Sequence, residues 1–305
     1  MSDSLIRFHL RDAPVRGQIV SLDGEWLEIV NRHQVPASVR DRLGELSAAA
    51  MLLAASLKFD GALVLQIHGD GPVALFVVEC DAHGRFRATV KLRDDMAAND
   101  DATLTELVNR YGHGRFVVTL DPRAQDSKRQ PYQGIVPFVG TSVAAALEHY
   151  MERSEQIPTR LWLAADGRRA AGLLLQRLPG EGGYRRQGAV ADHDAWNRMQ
   201  RLAETVSSEE LLQLGSREVL HRLFWQESMN ALDQRDCRFQ CRCSRDKVAA
   251  MLRMLGADEV QGIVAEQGRV EVRCEFCNKP YTFDAVDSAG LFIAGLGSDD
   301  ASGPH

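Results

Sequence analysis

Several familiar signatures are missing from this 305-residue chain. It carries no GxGxxG, P-loop, GxSxG or HExxH, so no nucleotide cradle, nucleophile elbow or zinc-hydrolase helix is in view. Long apolar runs are missing too. The longest, "SAAAMLLAASL" at 47–57, is too short to span a bilayer. The opening "MSDSLIRFHLRDAPVRG" is charged throughout and has no apolar core, which argues against a signal peptide and predicts a cytoplasmic protein without membrane partners. Positive charge is not in excess. With 36 Lys and Arg against 42 Asp and Glu, the net charge is −6 and the pI about 5.9, which argues against nucleic-acid binding. No internal repeat is evident. Cysteine is scarce at six residues, yet four of them fall in two tight pairs.

What is present is ordinary soluble-protein composition, 45% hydrophobic and 26% charged, in a chain long enough for more than one domain. Residues 1–184 read as a mixed α/β (α+β) domain with an antiparallel sheet. Leu43, Leu46, Ala50, Leu53 and Leu57 recur at helical spacing, with Gly61 as a stop. "ALVLQIHG", "VALFVVEC" and "RFRATVKL", separated by Gly, Pro and Asp turns, predict a meander. "RFVVTLDP" and "QGIVPFVG" add two strands around the polar loop 123–132. A helix follows from Thr141 or Ser142 and breaks before Pro158. "TRLWLAADG" and "RRAAGLLLQRLPG" then predict a hairpin.

Gly and charge cluster at 179–188, which predicts a boundary or hinge. Residues 185–236 read as a helical linker of short amphipathic helices, one opened by a Ser207–Glu210 capping box. The linker has too few apolar residues for its own core. Docked on a neighbour, it would bury Leu211, Leu212, Leu220, Leu223, Phe224 and Trp225. Permanent docking and a surface that comes loose both satisfy the pattern.

Residues 237–290 carry Cys241-x-Cys243 and Cys274-x-x-Cys277, with 291–305 as a tail. A metal cage, a disulfide staple and a redox switch all use paired cysteines. Two pairs on two turns, joined by a helical stretch that Ser244 caps, suit a tetrahedral four-sulfur site. Zinc, one per chain, is its natural occupant. An iron–sulfur cluster would ordinarily show other spacings. Cys80, at the end of a strand, reads as an inert half-buried thiol, and Cys237 as a linker cysteine or a spare thiol near the site. The same stretch holds eight Lys/Arg and eight Asp/Glu, so four thiolates on one Zn²⁺ would leave it negative, with no face for phosphates. Thiolates on zinc do offer chemistry with oxidants. Each pair is close enough in sequence to close a disulfide and eject the metal, and so small a module would unfold without it.

These residues resemble the redox-regulated molecular chaperone family of bacteria, the thirty-three-kilodalton heat-shock holdase. The resemblance rests on "LKFDGALVLQIHGDGPVALFVVEC", "YQGIVPFVG", "YMERSEQIPT", "RLAETVSSEELLQLGSREVLHRLFWQE", "FQCRCSRDKV" and "VRCEFCNKPYTF". It implies that Cys241, Cys243, Cys274 and Cys277 hold zinc in a reduced, inactive state. It further implies that oxidation pairs Cys241 with Cys243 and Cys274 with Cys277, releases zinc, loosens the linker and favours a homodimer. That form would hold unfolding client proteins without ATP, under heat and oxidative stress, and would not be an enzyme. Two other functions fit the cysteines. One is a thiol–disulfide oxidoreductase using Cys274 and Cys277, although its CxxC lacks a βαβ setting. The other is a zinc-ribbon regulatory scaffold for a fixed partner.

Overall fold

Charges stud the first residues of the chain, yet Leu5, Ile6, Phe8 and Leu10 between them are buried. They belong to β1 (Ser4–Leu10), which pairs antiparallel with β2 (Val15–Leu22). This strand pair was not expected from the sequence, because Arg7, His9, Arg16 and Gln18 interrupt its apolar residues. The computed structural model describes residues 2–56, 61–122, 130–179 and 194–293. A short helix α1 (Gly24–Val30) follows, its first N–H groups held by the Asp3 carboxylate.

Helix α2 (Ala37–Ala54) is the centre of the first unit. Leu43, Leu46 and Ala50 are buried as the spacing predicts, and Leu53 is half-buried; Leu57 lies outside the described residues. Most other positions of α2 are buried as well, because its Ala-rich surface packs on strands of two sheets. Gly44 marks the closest approach, since a Cβ there would sit 2.4 Å from that of Ala165. The helix ends at Ala54, and Gly61 starts the next strand instead of stopping the helix.

The meander forms as expected from β3 (Gly61–His68), β4 (Val73–Asp81) and β5 (Arg85–Leu92), all antiparallel. A short α3 (Leu104–Val108), opened by a Thr103–Glu106 capping box, precedes β6 (Arg115–Pro122) and β7 (Tyr132–Pro137). Of the loop between those two strands, residues 123–129 lie outside the described residues. Helix α4 (Val143–Arg153) takes Ser142 as its cap, the Oγ accepting from the Ala145 N–H at 3.1 Å. The expected hairpin is β8 (Thr159–Ala165) with β9 (Ala170–Arg177). Most of the predicted hinge, from residue 180 onward, lies outside the described residues.

The linker forms α5 (Ala195–Ala203), α6 (Ser208–Gln213) and α7 (Ser216–Phe224), with the Ser207–Glu210 capping box in place. After α7 the helical reading fails. Residues expected to continue the helix form β10 (Met229–Asp236), followed by the two-residue β11 (Arg238–Phe239). The sheet orders are β10-β1-β2-β9-β8 and β11-β5-β4-β3-β6-β7. One short segment therefore edges both sheets.

Helices α5–α7 cover the face of the five-stranded sheet opposite α2. Leu211, Leu220, Leu223 and Phe224 join Ile6, Phe8, Ile19, Leu173 and Leu175 in one apolar cluster, with Leu212 half-buried at its rim. The Phe8 and Phe224 rings lie 6.0 Å apart, and Gly17 opposite Phe8 leaves room for that ring. Trp225 departs from expectation at 68% exposed. It stands one residue beyond Phe224, about 100° around the helix axis, so the turn that buries Phe224 points Trp225 outward.

The chain divides into two compact units, the first running to Gln240 and the second starting at Cys241. The second holds α8 (Arg245–Leu255), α9 (Ala257–Gln267), the antiparallel pair β12 (Val270–Arg273) and β13 (Pro280–Phe283), and α10 (Ala285–Ile293). Among the described residues its buried apolar set is small: Val248, Ala249, Leu252, Val260, Val270, Tyr281, Phe283 and Leu291.

Candidate metal centre and redox site

The second unit brings the two cysteine pairs together from opposite sides. Cys241 and Cys243 lie on the extended segment that enters α8, where the Ser244 Oγ accepts from the Lys247 N–H at 3.2 Å. That cap stops the helix from continuing backwards through the pair. Cys274 and Cys277 lie on the knuckle between β12 and β13. The Cys274 N–H donates to the Lys279 carbonyl at 3.0 Å, and the Asn278 N–H to the Cys274 carbonyl at 2.7 Å. Asn278 takes the left-handed φ of 57° that closes so tight a turn.

The Sγ atoms of Cys241 and Cys274 are 3.6 Å apart, those of Cys243 and Cys277 are 3.4 Å apart, and all four lie within 4.8 Å of one another. A tetrahedron with Zn–S bonds of about 2.3 Å has edges of about 3.8 Å, so the donor set and its spacing fit zinc. The four residues are partly exposed, within reach of small solutes.

Local electrostatics separate Cys241, Cys243 and Cys277. Burial alone would push Cys243 up, but the Tyr281 hydroxyl, donating to its Sγ at 3.0 Å, and the neighbouring sulfurs outweigh it and bring it down to about 7. Burial pushes Cys277 up to about 12, helped by the sulfurs that share its proton, and burial also raises Cys241. The Tyr281 hydroxyl thus favours the thiolate form of Cys243, the form that reacts. Around them, Arg245 bonds to Asp287 and to the Thr282 carbonyl, both at 2.7 Å, and lies over the Phe283 ring. It staples α8 to β13 and α10.

The other two cysteines stand apart from the cluster. Cys80 is fully buried rather than half-buried, its Sγ 3.0 Å from the Met51 Sδ. Cys237 lies in the core of the first unit, 2% exposed, its N–H donating to the Asp3 carbonyl. Burial, then the nearby carboxylates of Asp3, Asp236 and Glu25, push its thiol far up. It is a protonated core residue, and the reading of an exchangeable fifth sulfur does not suit that setting.

Sequence reasoning missed Tyr281, whose only signal is an aromatic residue in the strand returning from a knuckle. It also missed the clasp just before the site. There the Phe239 N–H donates to Glu25 at 2.7 Å, and the Arg32 guanidinium lies over the Phe239 ring. The flanking Arg238 and Gln240 N–H groups donate to the Gly84 and Phe86 carbonyls of the first unit.

The family model described as Hsp33 protein matches residues 3–284, which takes in both units and all four clustered cysteines. The chain belongs to the Hsp33 family. It is 47% identical over 293 residues to a protein of Methylobacillus flagellatus named 33 kDa chaperonin, covering 96% of this chain and 95% of that one. It is 46% identical to the 33 kDa chaperonin of Chromobacterium violaceum, covering 95% and 94%. In fold it is similar to the crystal structure of the 33 kDa chaperonin (heat shock protein 33 homolog) from Thermotoga maritima. The TM-score is 0.78 at 22% identity, with 96% of this chain and 99% of that one covered. Among the described residues of this Hsp33-family chain, no helix is long and apolar enough to cross a membrane.

Proposed function

We propose that this Hsp33-family protein is a redox-regulated, ATP-independent holdase of the cytoplasm that binds unfolding proteins under oxidative and heat stress and catalyses no reaction. The observation that carries this reading is the group of four sulfurs within 4.8 Å, set in a unit whose buried apolar core is too small to hold it closed. In the reduced state Cys241, Cys243, Cys274 and Cys277 hold one Zn²⁺, which contributes structure and keeps the sulfurs as thiolates. On peroxide, each disulfide forms as two thiolates give up two electrons, and the peroxide takes these with two protons from solvent to become two waters. After two such closures no thiolate remains to hold a cation.

With its metal lost, the second unit opens. Helices α5–α7 then stay docked only by their own contacts. Burial of Leu211, Leu220, Leu223 and Phe224 favours docking, while the conformational entropy of ordering the linker opposes it. Release of the far end removes a constraint that helps hold the linker in place and so favours detachment. Detachment uncovers the Ile6, Phe8 and Leu10 face for clients, and dimerisation doubles it with an avidity gain.

The test is aggregation of a heat-unfolded client, with the protein reduced and zinc-loaded against peroxide-treated. Suppression by the oxidised form alone is expected. Equal activity in both states would favour a fixed scaffold, and catalytic reduction of a model disulfide would favour an oxidoreductase.

A further inference from the structure

β10 is an edge strand, and it covers a strand edge as well as carrying the chain onward. It pairs antiparallel with β1 along all seven residues of β1. Which β1 groups face it is settled by two bonds at the ends: the Arg11 N–H donates to the Ser228 carbonyl, and the Asp3 carbonyl accepts from the Cys237 N–H, both at 2.9 Å. Backbone groups alternate in direction along a strand, so Leu5, Arg7 and His9 also turn their N–H and C=O toward β10, while the residues between them serve β2. Removing β10 leaves a row of unpaired donors and acceptors on a strand that stays fixed in the sheet.

The side chains beside that edge are sorted by face. Ile6, Phe8 and Leu10 point into the apolar cluster that α5–α7 cover. On the α2 side Arg7 pairs with Asp233 at 2.6 Å and donates to the Ala55 carbonyl. The resident strand matches this division at two positions, with Met229 against the apolar cluster opposite Leu10 and Asp233 opposite Arg7, while Gln234 stands opposite Ile6.

We infer that the β1 edge uncovered by β10 is a client-capturing site that takes an extended polypeptide segment by antiparallel strand addition. The inference rests on the release of the linker proposed above. Its occupant is a segment of about seven residues, matching β1, with apolar side chains at every second position and polar or acidic ones between. Main-chain pairing serves any sequence, and the apolar strip beside it selects alternation. Unfolding proteins expose such segments, whereas folded ones keep them inside sheets.

The probe is a fluorescent peptide of residues 227–236, added to the full-length protein after oxidation by peroxide with moderate heat, and displaced by a permanently unfolded, reduced and carboxymethylated protein. Two further peptides carry a backbone N-methyl group. One has it at Asn230, which lies opposite His9 and by the same alternation donates toward β1, the other at Met229, whose N–H points away. The unmodified and Met229-methylated peptides should bind the oxidised protein and compete with the unfolded chain. Methylation at Asn230 should weaken binding about tenfold, the cost of one lost main-chain bond with its acceptor left unpaired. Reduced, zinc-loaded protein, with β10 in place, should bind none of them. Equal binding of both methylated peptides, no competition by any peptide, or equal binding to reduced protein would each overturn strand addition. If the oxidised protein holds clients while the peptides fail, the site is wrong and the holdase reading stands; if it holds none, both fall.

Discussion

Four sulfurs that share one cation depend on each other, because three thiolates leave an open position that water fills with weaker hold. Replacing any one of Cys241, Cys243, Cys274 or Cys277 with Ser should abolish tight zinc binding by metal analysis, while Cys80→Ser and Cys237→Ser should keep one zinc per chain. Loss of zinc from Cys237→Ser would mean that this core thiol reaches the cluster. The pairing of the disulfides is a sharper question. Cross-pair sulfurs approach to 3.4 and 3.6 Å, yet a bond from Cys241 to Cys274 or Cys243 to Cys277 would clamp the α8 entry to the knuckle. Bonds within pairs leave those elements free to part. Peptide mapping after peroxide and mild heat should therefore give 241–243 and 274–277, and a dominant cross-pair bond would remove the opening step. The pairs themselves were legible in the sequence, since spacing is a local property. The Tyr281 hydroxyl on Cys243 was not, because it depends on the register of β12 with β13.

Element by element, the sequence was most readable where one face of an element meets water. The meander, the cap at Ser142 and the Ser207–Glu210 box all emerged as read, and the β8–β9 hairpin was readable from its apolar runs although its sheet is covered on both faces. In the same sheet β1 and β2 were hidden because Arg7, His9, Arg16 and Gln18 interrupt their apolar residues, and β10 because "SMNAL" continues a helical stretch in composition while pairing with residues more than two hundred positions earlier. Trp225 shows the same limit on a smaller scale, since its size predicts burial but its angle on α7 denies it. Phe224 is the anchor: 1% exposed and against Phe8. Phe224→Asp should cost docking about 3–5 kcal/mol by removing a buried ring and burying a carboxylate. In reduced, zinc-bound protein it should raise hydrogen exchange across 195–224 and give holdase activity without oxidant. Trp225→Asp should do neither. An exchanging but inactive Phe224→Asp protein would show that exposure of this face is not the activating event.

At the scale of the whole molecule, the two units differ in what holds them closed. The first has two sheets packed on α2, and it anchors the linker with contacts of its own. These include β10 on β1, the Arg7–Asp233 pair at 2.6 Å, and Arg169 donating to the Leu212 carbonyl at 2.7 Å. Among its described residues the second has eight buried apolar side chains and four sulfurs. For a site of this kind the metal-binding free energy is folding free energy, about 10–16 kcal/mol in small zinc modules, which no core of that size replaces. Opening should then come in two stages. Removing zinc with a chelator under reducing conditions should strip hydrogen-exchange protection from 241–291 while 195–236 stays protected at low temperature, since its anchors lie within the first unit. Moderate heating should next release 195–236 below the temperature at which α2 and the meander exchange, because fraying segments open before the core. Oxidation acts on the first stage and heat on the second, so both stresses together should be needed for full activity. Simultaneous loss of protection in both segments on chelation in the cold would mean the linker has no hold of its own. Protection of 195–236 up to global unfolding would mean it never comes loose.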